Sequence, residues 1–134
     1  MSGALVLDCE ALAKAVRRDR EVQEWLTAAR RSDLPVLTSA AVLVEVIHPK
    51  IDDAALRWTL SRLRTEPVTQ ELAYAAAALL KEAGLHGHKY AIDAMLCATA
   101  LSVRGAVTIL TTDTDDIEKL AAAHLRVRVE NGCE

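Results

Sequence analysis

The sequence predicts an α/β protein, a three-layer α/β/α sandwich around a mainly parallel sheet of roughly five strands. Three observations predict it. Short aliphatic and β-branched runs at residues 4–7, 34–38 and 106–110 alternate with longer stretches whose apolar residues recur at helical spacing. Cap residues and Gly or Pro punctuation fall between these segments. Hydrophobic residues make up 51% and charged residues 26% of 134 residues, which suits one domain with one core. Strand–helix alternation of this kind implies crossovers of a single hand, hence parallel strands with helices on both faces.

Ala4-Leu5-Val6-Leu7 is the first strand, and Asp8 stands at its end. Residues 10–31 favour helix, with Leu12, Ala15 and Val16 and then Val22, Trp25, Leu26 and Ala29 on apolar faces, and the basic stretch Arg17-Arg18-Asp19-Arg20 separates two helices. Leu34-Pro35-Val36-Leu37-Thr38 reads as the second strand. Ser39 is a natural N-cap for a helix over residues 40–47, which Pro49 stops.

Asp52 caps a helix reaching about Leu63, and Glu66-Pro67-Val68 is expected as a short edge strand, where proline is tolerated. Thr69 begins an Ala-rich helix that Gly84 ends. A loop follows at residues 85–88, then a helix over residues 90–103, closed by Gly105. Residues 106–110 are the clearest strand by β-branched content, with Thr111, Thr112 and Asp113 directly after it. A helix from Asp115 or Asp116 to Ala123 and a strand over residues 125–129 complete a single domain at residues 1–130, leaving a short tail at 131–134.

Open α/β sheets receive ligands beyond the carboxyl ends of their strands. Asp8 and Asp113 end strands, Glu45 lies in the helix after the second strand, and Asp93 is near the start of its helix. One Asp after a strand is ordinarily a cap or turn residue, so for Asp8 alone capping is the favoured reading. Glu45 is expected to be buried, because the segment around it is apolar on all faces. Asp93 also suits a helix N-terminus through the dipole. Four acids on one rim, of which Asp8, Glu45 and Asp93 stand between apolar neighbours, need a compensating charge. An oxygen-only donor set selects hard cations, so Mg²⁺ or Mn²⁺ is expected rather than Zn²⁺.

Several classes are excluded. A net charge of −3 with pI near 5.8 does not fit nucleic-acid binding by bulk basicity, although arginines cluster at Arg17, Arg18 and Arg20 and at Arg57, Arg62 and Arg64. Aromatics at 3% with no Phe leave few platforms for base stacking. Three cysteines without a C-x-x-C support neither a disulfide framework nor a zinc cluster, and fit a reducing, cytoplasmic setting. The longest uncharged apolar stretch, residues 94–103, is about half a membrane span, and no secretory leader is visible. His86 and His88 flank a loop glycine and read as solvated side chains.

The motifs around the acids resemble those of PIN domains, and especially the VapC-type toxin ribonucleases of prokaryotic toxin–antitoxin pairs. Leu5-Val6-Leu7-Asp8 resembles the family's opening strand and first acid, and Thr38-Ser39-Ala40-Ala41-Val42-Leu43-Val44-Glu45-Val46 its second. Residues 90–100, Tyr-Ala-Ile-Asp-Ala-Met-Leu-Cys-Ala-Thr-Ala, resemble the third, and Ile109-Leu110-Thr111-Thr112-Asp113-Thr114-Asp115-Asp116-Ile117 the fourth. The resemblance covers nearly the whole chain. It implies RNA phosphodiester cleavage with one or two Mg²⁺ or Mn²⁺ ions held by Asp8, Glu45, Asp93 and Asp113, with Asp116 as an auxiliary acid and Thr111 or Thr112 orienting a carboxylate or the substrate. The cation would acidify water and stabilise charge on the phosphate. It further implies a homodimer with a shared RNA groove and a small antitoxin that blocks the site. The family usually carries Ser or Thr after the first acid, so Cys9-Glu10 departs at the hydrogen bond behind the ligand rather than at the ligand.

Rival readings fit less well. Asp113-Thr114-Asp115 imitates the D-x-D of haloacid dehalogenase-like phosphatases, but that fold begins with this element and here it comes near the end. Asp8-Cys9-Glu10 partly imitates a response-regulator receiver, yet no strand-end Lys accompanies it. A non-catalytic PIN scaffold or RNA-binding module has usually lost one of the four acids, and all four are present here. Trp25 and Trp58 are candidates for core packing or partner contact.

Overall fold

In the computed structural model, residues 3–112, 114–121 and 127–131 are described, without the side chains of 127–129 and 131. The first strand, β1 (Gly3–Leu7), is buried along its whole length, as expected of an aliphatic run with no polar alternation. It is the middle of a five-stranded sheet whose order is β3-β2-β1-β4-β5, with β2 at Val36–Ser39, β3 at Arg64–Glu66, β4 at Ala106–Thr111 and β5 at Val127–Asn131. Every neighbouring pair is parallel.

The order fixes where the chain reverses direction across the sheet. From β1 it moves outward through β2 to β3, then returns to the other side of β1 for β4 and β5. Crossovers of one hand therefore place the earlier and later helices on opposite faces. The earlier group is α1 (Cys9–Val16), α2 (Arg20–Arg31), α3 (Leu43–Val46) and α4 (Asp53–Ser61), in which α1 packs against the other three. The later group is α5 (Gln70–Ala83), α6 (Gly87–Leu101) and α7 (Thr114–Ala121), which pack against one another. The switch point lies between β1 and β4.

Leucine, valine and alanine fill the core between these layers. Val6, Leu7, Ile109 and Leu110 have no exposed surface, and Leu12, Leu37 and Val42 join them from the early half of the chain. Each such aliphatic side chain contributes about 1.5–3 kcal/mol on burial.

The caps predicted at Asp8, Ser39, Asp52 and Thr69 form, and Asp19, read only as part of the break between two helices, caps α2 as well. Asp8, Asp19, Asp52 and Thr69 each accept a hydrogen bond from the third residue onward, and Ser39 from the second. Gly84 ends α5 in the left-handed conformation at φ 69°. Several boundaries differ from expectation. The helix expected at 40–47 is a 3₁₀ turn at Ala40–Val42 followed by the four residues of α3. The edge strand expected at 66–68 ends at Glu66, because Pro67 has no N–H to give to the ladder. The helix expected from residue 90 begins at Gly87, takes in part of the expected loop, and bends at Tyr90, whose φ of −112° and ψ of 17° are not helical. Asn131, the first residue of the expected tail, closes β5, and 132–134 lie outside the described residues. Among the described residues no helix is long and apolar enough to cross a membrane.

Candidate active site

The carboxyl end of β1 is held from both sides. Thr38, fully buried on β2, donates its hydroxyl to the Leu7 carbonyl at 2.8 Å, and the Asp8 N–H donates to the Leu110 carbonyl on β4 at 3.2 Å. Parallel pairing of Leu7 with Leu110 brings Thr111 beside Asp8, and the Thr111 hydroxyl donates to Asp8 Oδ2. Asp8 Oδ1 accepts the Ala11 N–H at 2.8 Å and so caps α1. Asp8 is thus both cap and rim residue, and it is only 5% exposed.

Glu45 corrects an expectation. It is exposed, and so are its neighbours Val44 at 78% and Ile47 at 51%. The short helix α3 turns Val46 into the core, leaving Val44 and Glu45 on the solvent side. A helix of four residues packed against α1 has only one side to bury, so hydrophobic neighbours in sequence did not mean burial.

Cys9, the first residue of α1, joins the pieces. Its thiol donates to Glu45 Oε1 at 2.7 Å. Burial pushes that thiol well above the usual range, and next come the hydrogen bond to Glu45 and the negative charges of Glu45, Asp8 and Asp93. The sulfur thus bonds one predicted acid, Glu45, from the residue next to another, Asp8. Asp93, half-buried and just past the bend in α6, also acts on Cys97, whose pKa is pushed up to about 12, first by burial and then by that charge.

The remaining predicted residues are less gathered. Asp113 lies outside the described residues. Asp116, half-buried in the first turn of α7, stands 4.0 Å from the ammonium of Lys119. Thr112 is half-buried just beyond β4. Among the described residues no group of three or more His, Cys, Asp or Glu is drawn together closely enough to hold a metal ion. His86 and His88 are exposed at the start of α6. Two contributors escaped the sequence reading: Thr38, a polar residue in an apolar strand, and the Cys9–Glu45 bond, which no spacing rule predicts.

The tryptophans divide. Trp25 packs partly buried against the core, whereas Trp58 is 47% exposed, with the guanidinium groups of Arg18 and Arg62 at 4.8 and 5.4 Å from its ring centre.

Whether the residues fit a divalent cation turns on donor chemistry. Asp8, Glu45 and Asp93 offer oxygen alone, and Cys9, the residue after Asp8, bonds Glu45. That donor set suits Mg²⁺ or Mn²⁺.

A family model described as the PIN domain matches residues 5–123. No curated protein matches the sequence significantly. Among solved structures, the chain is similar to one in the complex of VapBC2 from Rickettsia felis bound to a promoter DNA fragment, at TM-score 0.69 and 16% identity, covering 96% of this chain and 98% of that one. It is similar to a chain of a toxin–antitoxin complex from Klebsiella pneumoniae, at TM-score 0.67 and 23% identity, covering 92% and 95%. It is also similar to a chain of FitAcB from Neisseria gonorrhoeae, at TM-score 0.60 and 18% identity, covering 96% and 97%. At these identities the likeness is one of fold.

Proposed function

The chain belongs to the PIN domain family, and from that premise we propose that it is a metal-dependent endoribonuclease, the toxin of a toxin–antitoxin pair. The observation that carries the reading is the pair of hydrogen bonds that set two of the acids at the carboxyl end of the sheet, Thr111 to Asp8 and Cys9, the residue after Asp8, to Glu45, at the switch point between β1 and β4. Asp8, Glu45, Asp93 and Asp113 would hold one or two Mg²⁺ or Mn²⁺ ions, with Asp116 as auxiliary. A cation held there supplies charge neutralisation for the phosphate and activation of water. The protein's own part is orientation. Thr111 fixes one oxygen of Asp8, the α1 N-terminus fixes the other, and Cys9 holds one oxygen of Glu45. Thr112, just beyond the same strand end, would orient substrate.

The similar structures include toxin–antitoxin complexes, which supports a small antitoxin as partner. Exposed Val44 and Ile47 beside Glu45 support a protein contact at the rim, either the antitoxin or a second copy in a homodimer that shares an RNA groove. A cytoplasmic location follows from this reading.

The test is cleavage of RNA by the purified protein. Activity should need Mg²⁺ or Mn²⁺, stop with EDTA, and be lost in Asp93→Asn while its circular dichroism and melting temperature stay those of a folded protein. Normal cleavage by folded Asp93→Asn would overturn the mechanism. A non-catalytic PIN scaffold is the second reading, favoured by the absence of a gathered metal-holding group among the described residues. It predicts neither cleavage nor a Mn²⁺-dependent rise in melting temperature.

A further inference from the structure

Glu45 presents a problem of control. It sits on a helix of four residues, its side chain is exposed, and it has three rotatable bonds with which to swing into solvent. Asp8, by contrast, is locked at both oxygens by the α1 N-terminus and Thr111. Among the described residues, the one hydrogen bond that the Glu45 carboxylate accepts comes from the Cys9 thiol, 36 positions away in sequence, at 2.7 Å. Cys9 is covalently next to Asp8 and begins α1, so its Cβ is fixed by the same cap that fixes Asp8. Asp8 and Asp93 are the other charges that the sulfur feels.

We propose that Cys9 is a positioning residue: its S–H donor ties the Glu45 carboxylate to the start of α1, so that Glu45 is held on the Asp8 side of the rim before any cation arrives. The proposal rests on the metal-dependent reading above and adds to it the group that organises the most exposed of the three described acids. The bond occupies one lone pair of Oε1 and leaves Oε2 for a ligand. A thiol is a weak donor, so a hydroxyl in the same place would do the work at least as well, while a methyl would not do it at all. Partners behind metal ligands of this kind typically tune affinity about 10–100-fold.

The experiment compares the full-length wild type with Cys9→Ala and Cys9→Ser. Mn²⁺ affinity is measured by isothermal titration calorimetry, melting temperature without metal, and RNA cleavage as separate kcat and KM. Alanine is a good residue for the first turn of a helix, so Cys9→Ala should melt like the wild type. It should nonetheless bind Mn²⁺ about 10-fold more weakly and lose kcat with little change in KM for RNA. Cys9→Ser should restore both. Wild-type Mn²⁺ affinity and kcat in Cys9→Ala would overturn the proposal. So would a Cys9→Ser variant as impaired as Cys9→Ala, since packing of sulfur rather than donation would then be at work. If the wild type itself fails to bind Mn²⁺, the metal-dependent reading falls, and the positioning role with it.

Discussion

Thr111, on β4, donates its hydroxyl proton to Oδ2 of Asp8, on the neighbouring strand end and 103 positions earlier in the chain. Both residues are buried, and the bond crosses the point where the sheet order reverses. Removing the hydroxyl without changing shape, by Thr111→Val, takes a donor from a carboxylate that has little access to water. The expected loss of stability is about 1–3 kcal/mol, read from urea denaturation, while Thr111→Ser should stay within a few tenths of the wild type. A Thr111→Val variant as stable as Thr111→Ser would show that the bond carries no weight.

Asp8 serves two purposes, and one substitution separates them. Asparagine caps helices about as well as aspartate, so Asp8→Asn should keep α1 and melt within a few degrees of the wild type. It removes the charge, so Mn²⁺ should raise the melting temperature of the wild type and leave Asp8→Asn unmoved. If Mn²⁺ leaves both unmoved, no metal site involves Asp8.

Gly3 is required by close approach. Its φ is +141°, and a Cβ placed there would lie 2.5 Å from the Ala106 carbonyl oxygen, on the strand with which β1 pairs. Gly3→Ala should destabilise the protein by about 1–3 kcal/mol from backbone strain, with further loss from the displaced β4 carbonyl. Thermal melting checks this, and an unchanged midpoint would refute it.

Cys97 gives the protein an alkaline limit. Its pKa, raised by burial and by the Asp93 charge to about 12 from an ordinary thiol value of 9.0, means that the unfolded chain loses this proton first. The resulting stability is complete below about pH 9, declines above it, and is gone once pH passes the folded value near 12. Cys97→Ala should therefore flatten the fall in melting temperature between pH 9 and 11 relative to the wild type. Parallel profiles would contradict the shift.

Much of this was legible in the sequence because the signals were local. Asp52, Thr69 and Gly84 marked helix ends through hydrogen bonds and backbone angles that involve only nearby residues. Residues 106–110 announced a strand through β-branched content, and β4 adds only Thr111. Boundaries failed where two local preferences met: Pro67 could follow a strand but not extend it, and Gly87 and His88 joined a helix that still bends at Tyr90.

The candidate site was legible in part. The carboxyl ends of β1 and β4 could be inferred from strand–helix alternation, which placed Asp8 correctly at the rim. Glu45 shows the limit, since its apolar neighbours suggested burial and the fold left it exposed. Hydrophobic periodicity over a few residues cannot tell which side of a short element has a partner.

By itself, the sequence determined the class of fold, the caps that begin its helices, and an oxygen-only set of acids at strand and helix ends, because those follow from chemistry within a few residues. Only the tertiary structure decided that Thr111 orients Asp8, that Thr38 pins the end of β1, and that a cysteine thiol holds Glu45. Those bonds join residues 31 to 103 positions apart. Their existence depends on strand order and register, which arise from the packing of the whole core.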